Sequence, residues 1–116
     1  MIPVSNTLYA RYAKARMDYD ILENEKGFVF YRIAREECYI AEMFIDIEHR
    51  GTGEFRRLID QIERAAKEHG CECLSANIHI KDRNHRTALM SALHVGFHIV
   101  SADQGILTII KQLGAD

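Results

Sequence analysis

Chemistry is concentrated in one short stretch, Arg50-Gly51-Thr52-Gly53, where two glycines flank a single residue directly before an amphipathic helix. The apolar run 39–47 (YIAEMFIDI) leads straight into that turn. Strand, Gly-rich turn and helix N-terminus together make an anion site. The first four N–H groups of a helix have no partner within it, and the helix dipole favours negative charge there. Glycine lets the backbone come close to a phosphate and adopt positive φ. A phosphorylated ligand is therefore expected at residues 50–53, with Arg50 offering its amide or guanidinium. Against this stands a surface arginine paired with Glu48 or Glu54, and two ordinary turn glycines.

Two carboxylates precede the turn. Glu42 and Asp46 stand at even spacing on one expected strand and so share a face. A carboxylate so placed can take a proton from an attacking group, though a solvated or ion-paired strand residue is the commoner outcome. Lys81, Arg83, His85 and Arg86 form a basic cluster that suits a phosphate or an acidic substrate, or simply a solvated loop and helix start. Ser91 and His94 are candidate proton donors, each also at home on a helix surface. Cys71-x-Cys73 with His79 alternates along a strand, which is not a usual zinc spacing, so no metal is expected. No His–Asp arrangement supports a cysteine nucleophile.

The 116 residues suffice for one domain spanning 1–116 with one core. Apolar residues make up 47% and charged residues 28%, an ordinary globular balance. A formal charge of −2 and the lack of an aromatic-basic stripe disfavour nucleic acid. No apolar run approaches the roughly 20 residues that span a bilayer, and the first 16 residues lack a signal-peptide core. Three cysteines argue against a disulfide framework and for a reduced, cytoplasmic setting. A homodimer is compatible with these totals.

The positioning elements follow from periodicity. A helix is expected over 5–17, capped by Ser5 or Asn6. Strands are expected at 19–24, 28–34 and 38–47, separated by the turns 24–27 and 35–37. The helix over 53–69 is the clearest element, with Phe55, Leu58, Ile59, Ile62, Ala65 and Ala66 on one face and Gly70 ending it. A strand over 72–80 alternates Leu74, Ala76, Ile78 and Ile80 toward one side. A helix over 85–95 carries Ala88, Leu89, Ala92 and Leu93, and Gly96 stops it. A hairpin joins 97–101 to 106–113. The order α-β-β-β-α-β-α-β-β predicts an α+β fold, a mixed and mostly antiparallel sheet flanked by helices, with one central β-α-β crossover.

That order, with these residues, resembles the GNAT superfamily of N-acetyltransferases over roughly residues 19–113. The family's pyrophosphate-binding pattern is Gln/Arg-x-x-Gly-x-Gly/Ala between a strand and a helix. The corresponding segment is Glu48-His49-Arg50-Gly51-Thr52-Gly53. Downstream the family reads helix, Gly, a strand ending near Asn, and a helix closing in Leu-Gly-Phe. This chain has Gly70, Asn84 and Val95-Gly96-Phe97. The resemblance implies acetyl-CoA as co-substrate, its pantetheine arm between two splayed strands. Backbone groups of Phe44, Ile45 and Asp46 would pair with that arm. The amides from Arg50 through Gly51, Thr52, Gly53 and Glu54 to Phe55 would hold the pyrophosphate, and Asn84 would contact the pantetheine side.

It further implies transfer of an acetyl group to a primary amine, on a small molecule or on a protein lysine or N-terminus, with Glu42 as base. Backbone groups of the strand would polarise the thioester carbonyl. The departures define an alternative. Glu48 stands where the family has Gln or Arg, and Phe55 replaces a frequent extra glycine. Glu54 adds negative charge beside the phosphate position, tolerable where its side chain points outward. Ala92 or Ser91 stands where the family often carries a general-acid tyrosine. A GNAT-shaped binding or regulatory module without catalysis would fit the same residues.

Overall fold

Turn chemistry divides the first half of the chain, and the computed structural model describes residues 6–114. Helix α1 (Leu8–Met17) is capped by Thr7, whose hydroxyl accepts the Ala10 N–H at 3.1 Å. The cap therefore falls one residue beyond Asn6, and Ser5 lies outside the described residues. Strands β1 (Asp20–Glu23), β2 (Gly27–Ala34) and β3 (Glu37–Ile45) follow as a meander. Asn24 shapes the first turn, its Oδ1 accepting the N–H groups of Lys26 at 2.7 Å and Gly27 at 3.0 Å. Strand β3 ends two residues sooner than expected, because Asp46 leads into a single 3₁₀ turn at Ile47–His49.

Helix α2 (Glu54–Glu68) buries Leu58, Ile59, Ile62, Ala65 and Ala66, as its apolar stripe demands. It closes in a Schellman motif. Gly70, at φ 80°, bonds back to Lys67 O, and Cys71 N–H bonds to Ala66 O at 2.9 Å. Helix α3 (His85–His94) closes the same way, with Gly96 N–H to Leu93 O and Phe97 N–H to Ala92 O. Strand β4 (Cys73–His79) lies between these helices, and β5 (His98–Asp103) and β6 (Ile106–Gln112) form the final hairpin. Its turn is tighter than expected: Gln104 and Gly105 both take positive φ, the conformation of a two-residue hairpin loop.

The six strands lie in the order β1-β2-β3-β4-β6-β5. Every neighbouring pair is antiparallel except β3–β4, which is parallel. A parallel pair needs a crossover, and α2 supplies it. One sheet face meets α2 and α3 over Val29, Cys38, Ile40, Leu74 and Ile109. The other meets α1 through Ala10, Ala13, Ile21 and Phe30. Lys111 ties α2 to β6 by a 2.6 Å ion pair with Glu63, both largely shielded from water.

Three expected core positions differ. Ala88 and Leu93 are exposed, while Ala92, Val95 and Phe97 are buried with Leu89 packed beside them. Ile80 lies past the end of β4 and is half exposed, because the chain has already turned there.

Candidate functional site

The parallel β3–β4 pair is short. Its register runs from Glu37↔Cys73 to Ile40↔Ala76 and stops. Beyond it, Ala41–Ile45 and Asn77–His79 continue without pairing to one another, so the sheet opens into a fork. A bulge marks the branch point. Phe30 faces Glu42 and Tyr31 faces Ile40, which leaves Ala41 as the extra residue on β3.

The ladder with β2 decides which β3 backbone groups look into the fork. Phe44 turns its carbonyl toward β2, where it lies against Gly27, and Asp46 N–H bonds to Lys26 O at 2.8 Å. Antiparallel ladders alternate, so Met43 and Ile45 direct their N–H and C=O groups the other way, toward β4. Of Phe44, Ile45 and Asp46, expected from the sequence to pair with the cofactor arm, Ile45 alone faces the fork, and Met43, absent from that expectation, joins it. Arg50 reaches back to this edge: its Nε donates to Ile45 O at 2.9 Å, and its guanidinium stands 5.7 Å from the centre of the Phe44 ring.

Next to the fork is the glycine turn. Gly51 and Gly53 adopt φ of 77° and 84°, in the left-handed region that favours glycine. Among the described residues, the N–H groups of Gly51, Thr52, Gly53, Glu54, Phe55 and Arg56 have no hydrogen-bond acceptor; Arg50 N–H before them bonds to Ile47 O, and Arg57 N–H after them bonds to Gly53 O. Six consecutive free donors at the start of a 15-residue helix make a cradle that can accept an anion. A Cβ on Gly51 would meet nothing within 4 Å, so the space over the turn is open. Thr52 braces the turn by donating its hydroxyl to His49 O. Because α2 crosses over between two parallel strands, its first turn sits over their C-terminal ends, beside the fork.

Glu54 corrects an expectation. The outward course that would make its charge tolerable is not taken: it is only 3% exposed, because position 54 leads the buried stripe that continues through Leu58 and Ile62. Its Oε1 lies 3.4 Å from Arg57 Nη1, and its Oε2 has no hydrogen-bond partner among the described residues. Glu48 is exposed in the 3₁₀ turn, and Phe55 packs half-buried against the core.

On the opposite face, Glu42 is exposed and stands across from Phe30, the residue that packs under α1. Phe44 stacks on Phe28 on the same side, with centroids 5.6 Å apart. Asp46 lies beyond the strand, so the shared face argued for Glu42 and Asp46 does not hold as a strand relation. A polar track unseen in the sequence crosses this face beside the fork. Thr108 Oγ1 donates to Asn77 Oδ1 at 3.1 Å, and Asn77 Nδ2 donates to Tyr39 Oη at 3.4 Å. Period-two alternation on three strands could have placed these residues on one face, but only the strand order makes them neighbours.

The remaining candidates lie apart from the turn in sequence. Asn84 is exposed at the N-cap of α3 and makes no side-chain cap bond. Lys81, Arg83 and Arg86 are exposed around it, and His85 Nδ1 lies 2.9 Å from Asp82 O. Ser91 is half-buried and His94 exposed. Arg56 Nη2 reaches the His94 carbonyl at 3.4 Å, bridging α2 and α3. Burial pushes the Cys38 thiol up to about 12, and Cys71 and Cys73 are raised by burial as well, so these thiols stay protonated near neutrality. Among the described residues no group of three His, Cys, Asp or Glu side chains comes together to hold a metal, and no helix is long and apolar enough to cross a membrane.

The fork, the cradle and the strand order can be set against known proteins. No curated protein matches the chain by sequence. Among solved structures it is similar to the PaiA N-acetyltransferase of Thermoplasma acidophilum in complex with coenzyme A, at 13% identity and a TM-score of 0.71, covering 86% of this chain and 65% of that one. It is similar to an acyl-CoA N-acyltransferase, so far named as putative, from Klebsiella pneumoniae at 16% identity and a TM-score of 0.72, covering 92% and 85%. It is also similar to the ribosomal-protein-S18-alanine N-acetyltransferase of Escherichia coli, at 12% identity and a TM-score of 0.65, covering 84% and 70%. The chain thus spans about two thirds of the length of the Thermoplasma protein. These likenesses establish the fold. The family model described as "Acetyltransferase (GNAT) family" matches residues 10–97, and the chain belongs to that family.

Proposed function

We propose that this chain is an acetyl-CoA-dependent N-acetyltransferase acting on a primary amine, carried by a small molecule or by a protein. The observation that carries the reading is the run of six acceptor-free amides, Gly51 to Arg56, beside the fork between β3 and β4. The residues fit the co-substrate. The amides suit a pyrophosphate, and the fork-facing groups of Met43 and Ile45 suit the amides of a pantetheine arm. Asn84 is assigned to the pantetheine side. When bound, acetyl-CoA supplies the activated acyl group.

The two faces of the fork divide the work. The α2 side presents the cradle, and the α1 side presents Glu42, Phe44 and the Tyr39–Asn77–Thr108 track. An amine approaching from the α1 side meets Glu42, which takes its proton directly or through water. Orienting amine and thioester on opposite sides of one opening supplies much of the rate.

Calorimetric titration with acetyl-CoA, with desulfo-CoA as the check on thiol artefacts, tests the reading. Micromolar one-to-one binding followed by turnover on an amine panel is expected; a folded protein that binds neither ligand would end it. A second reading rests on α3, where the buried Ala92 offers no proton donor to a leaving thiolate. In that reading the chain binds coenzyme A without catalysis, and binding without turnover across the panel would favour it.

A further inference from the structure

A carboxylate buried at the mouth of an anion cradle works against anion binding unless it has another duty. Glu54 is the first residue of α2, is 3% exposed, and leaves Oε2 without a hydrogen bond among the described residues. A buried charge with incomplete partnering costs stability. Its one described outlet is Arg57, whose Nη1 lies 3.4 Å from Oε1 while its side chain is 57% exposed. The other end of that guanidinium is informative. Arg57 Nη2 lies 3.9 Å from where a Cβ on Gly53 would stand, nearer than any other described residue beyond its chain neighbours. Arg57 therefore stands over the second glycine of the turn, at the rim of the six free amides, with Nη1 held by Glu54 and Nη2 beside Gly53.

We propose that Arg57 is a phosphate ligand of this turn and that Glu54 is the positioning residue that holds its guanidinium there. The proposal rests on the coenzyme A reading and deepens it by naming a side chain for the pyrophosphate. A planar guanidinium can bond a carboxylate along one edge and a phosphate oxygen along another. The pair also cancels the charge that Glu54 would otherwise hold against the ligand. Helical spacing alone puts residue 57 on the outer face of α2, so its link to the turn emerges only through the buried position of Glu54.

The opposing explanation, that Glu54 is merely an adverse charge, predicts the opposite sign. Coenzyme A is titrated calorimetrically into the wild-type chain, Arg57→Ala, Glu54→Leu, Glu54→Gln and the double variant Glu54→Leu/Arg57→Ala, with thermal melts on each. Arg57→Ala is expected to weaken binding about tenfold, the scale of one charge-assisted hydrogen bond, and to flatten the salt dependence of the affinity. Glu54→Leu and the nearly isosteric Glu54→Gln are expected to weaken binding about threefold or more while melting at or above the wild-type temperature. In the Arg57→Ala background, Glu54→Leu should cause no further loss. Tighter binding by either Glu54 variant, or unchanged binding by Arg57→Ala, overturns the proposal and leaves the coenzyme A reading standing. No binding by the wild-type chain removes that reading and this proposal together.

Discussion

Gly53 and Glu42 carry opposite burdens, one for binding and one for chemistry, and single substitutions separate them. Gly53 sits at φ 84° in the turn, with Arg57 Nη2 beside it. Gly53→Glu places a carboxylate in the cradle and forces a side chain into the left-handed region, a strain of about 1–2 kcal/mol. The expected result is loss of detectable coenzyme A binding with a folded circular dichroism spectrum; retained affinity would remove the turn from the site. Glu42→Gln keeps size and removes basicity. Its kcat is expected to fall about a hundredfold, with the acidic limb of the pH–rate profile lost and KM for acetyl-CoA little changed. An unaltered profile would assign proton removal elsewhere. Both residues stood out in the sequence because glycine spacing and a carboxylate on a strand are local features. Glu54 did not. Its position fits the stripe of Leu58 and Ile62, but an acidic residue in the first helical turn usually faces water, and charge outweighed period in the sequence argument.

At the level of elements, the fork depends on how β2 holds β3. Gly27 pairs with Ile45, and a Cβ there would overlap the Phe44 carbonyl oxygen and come within 3.2 Å of the Ile45 Cα. The neighbours are backbone, which cannot swing aside. Gly27→Ala is therefore expected to cost about 1–3 kcal/mol in urea unfolding. It should also weaken coenzyme A binding, because displacing the Phe44 carbonyl and the Ile45 Cα moves the adjoining Ile45 groups that face the fork. Gly114→Ala meets nothing within 4 Å and serves as the control; equal behaviour of the two variants would refute the argument. Element order was legible because α2 has strong amphipathic contrast and α2 and α3 each close on a glycine, Gly70 and Gly96. The stripe of α3 was not, since Ala88, Leu89, Met90, Ala92, Leu93 and Val95 surround the helix with apolar groups and period alone selects no face. The fork itself could not be read, because no local pattern records where two strands distant in sequence stop pairing.

For the molecule as a whole, the buried acids set its behaviour in alkali. Cys38 lies in the main core with its thiol pushed up to about 12 by burial, with Cys71, Cys73, Glu37 and Asp20 adding to the rise. The Tyr31 hydroxyl is also raised to about 12, by burial first and then by Asp20 and Cys38. In the unfolded chain these groups ionise from their ordinary values of 9.0 and 10.0. Below pH 9 both states hold the protons, and the contribution to stability is fully present. As pH rises from about 9 toward 12 the unfolded chain releases protons that the folded chain keeps, so stability falls by up to about 1.4 kcal/mol per pH unit for each group. Urea unfolding is expected to give a constant free energy from pH 7 to 8.5 and a declining one by pH 10.5. Cys38→Ala should reduce the part of the decline that begins near pH 9, leaving the share of Cys71 and Cys73, and Tyr31→Phe should remove the part that begins near pH 10. Each variant carries its own fixed packing cost, so the slope between pH values, and not the absolute stability, is the quantity to compare. An unchanged slope in both variants would mean that the alkaline loss arises elsewhere, at Cys71 and Cys73 or at the surface, where negative charge accumulates as lysines lose their protons.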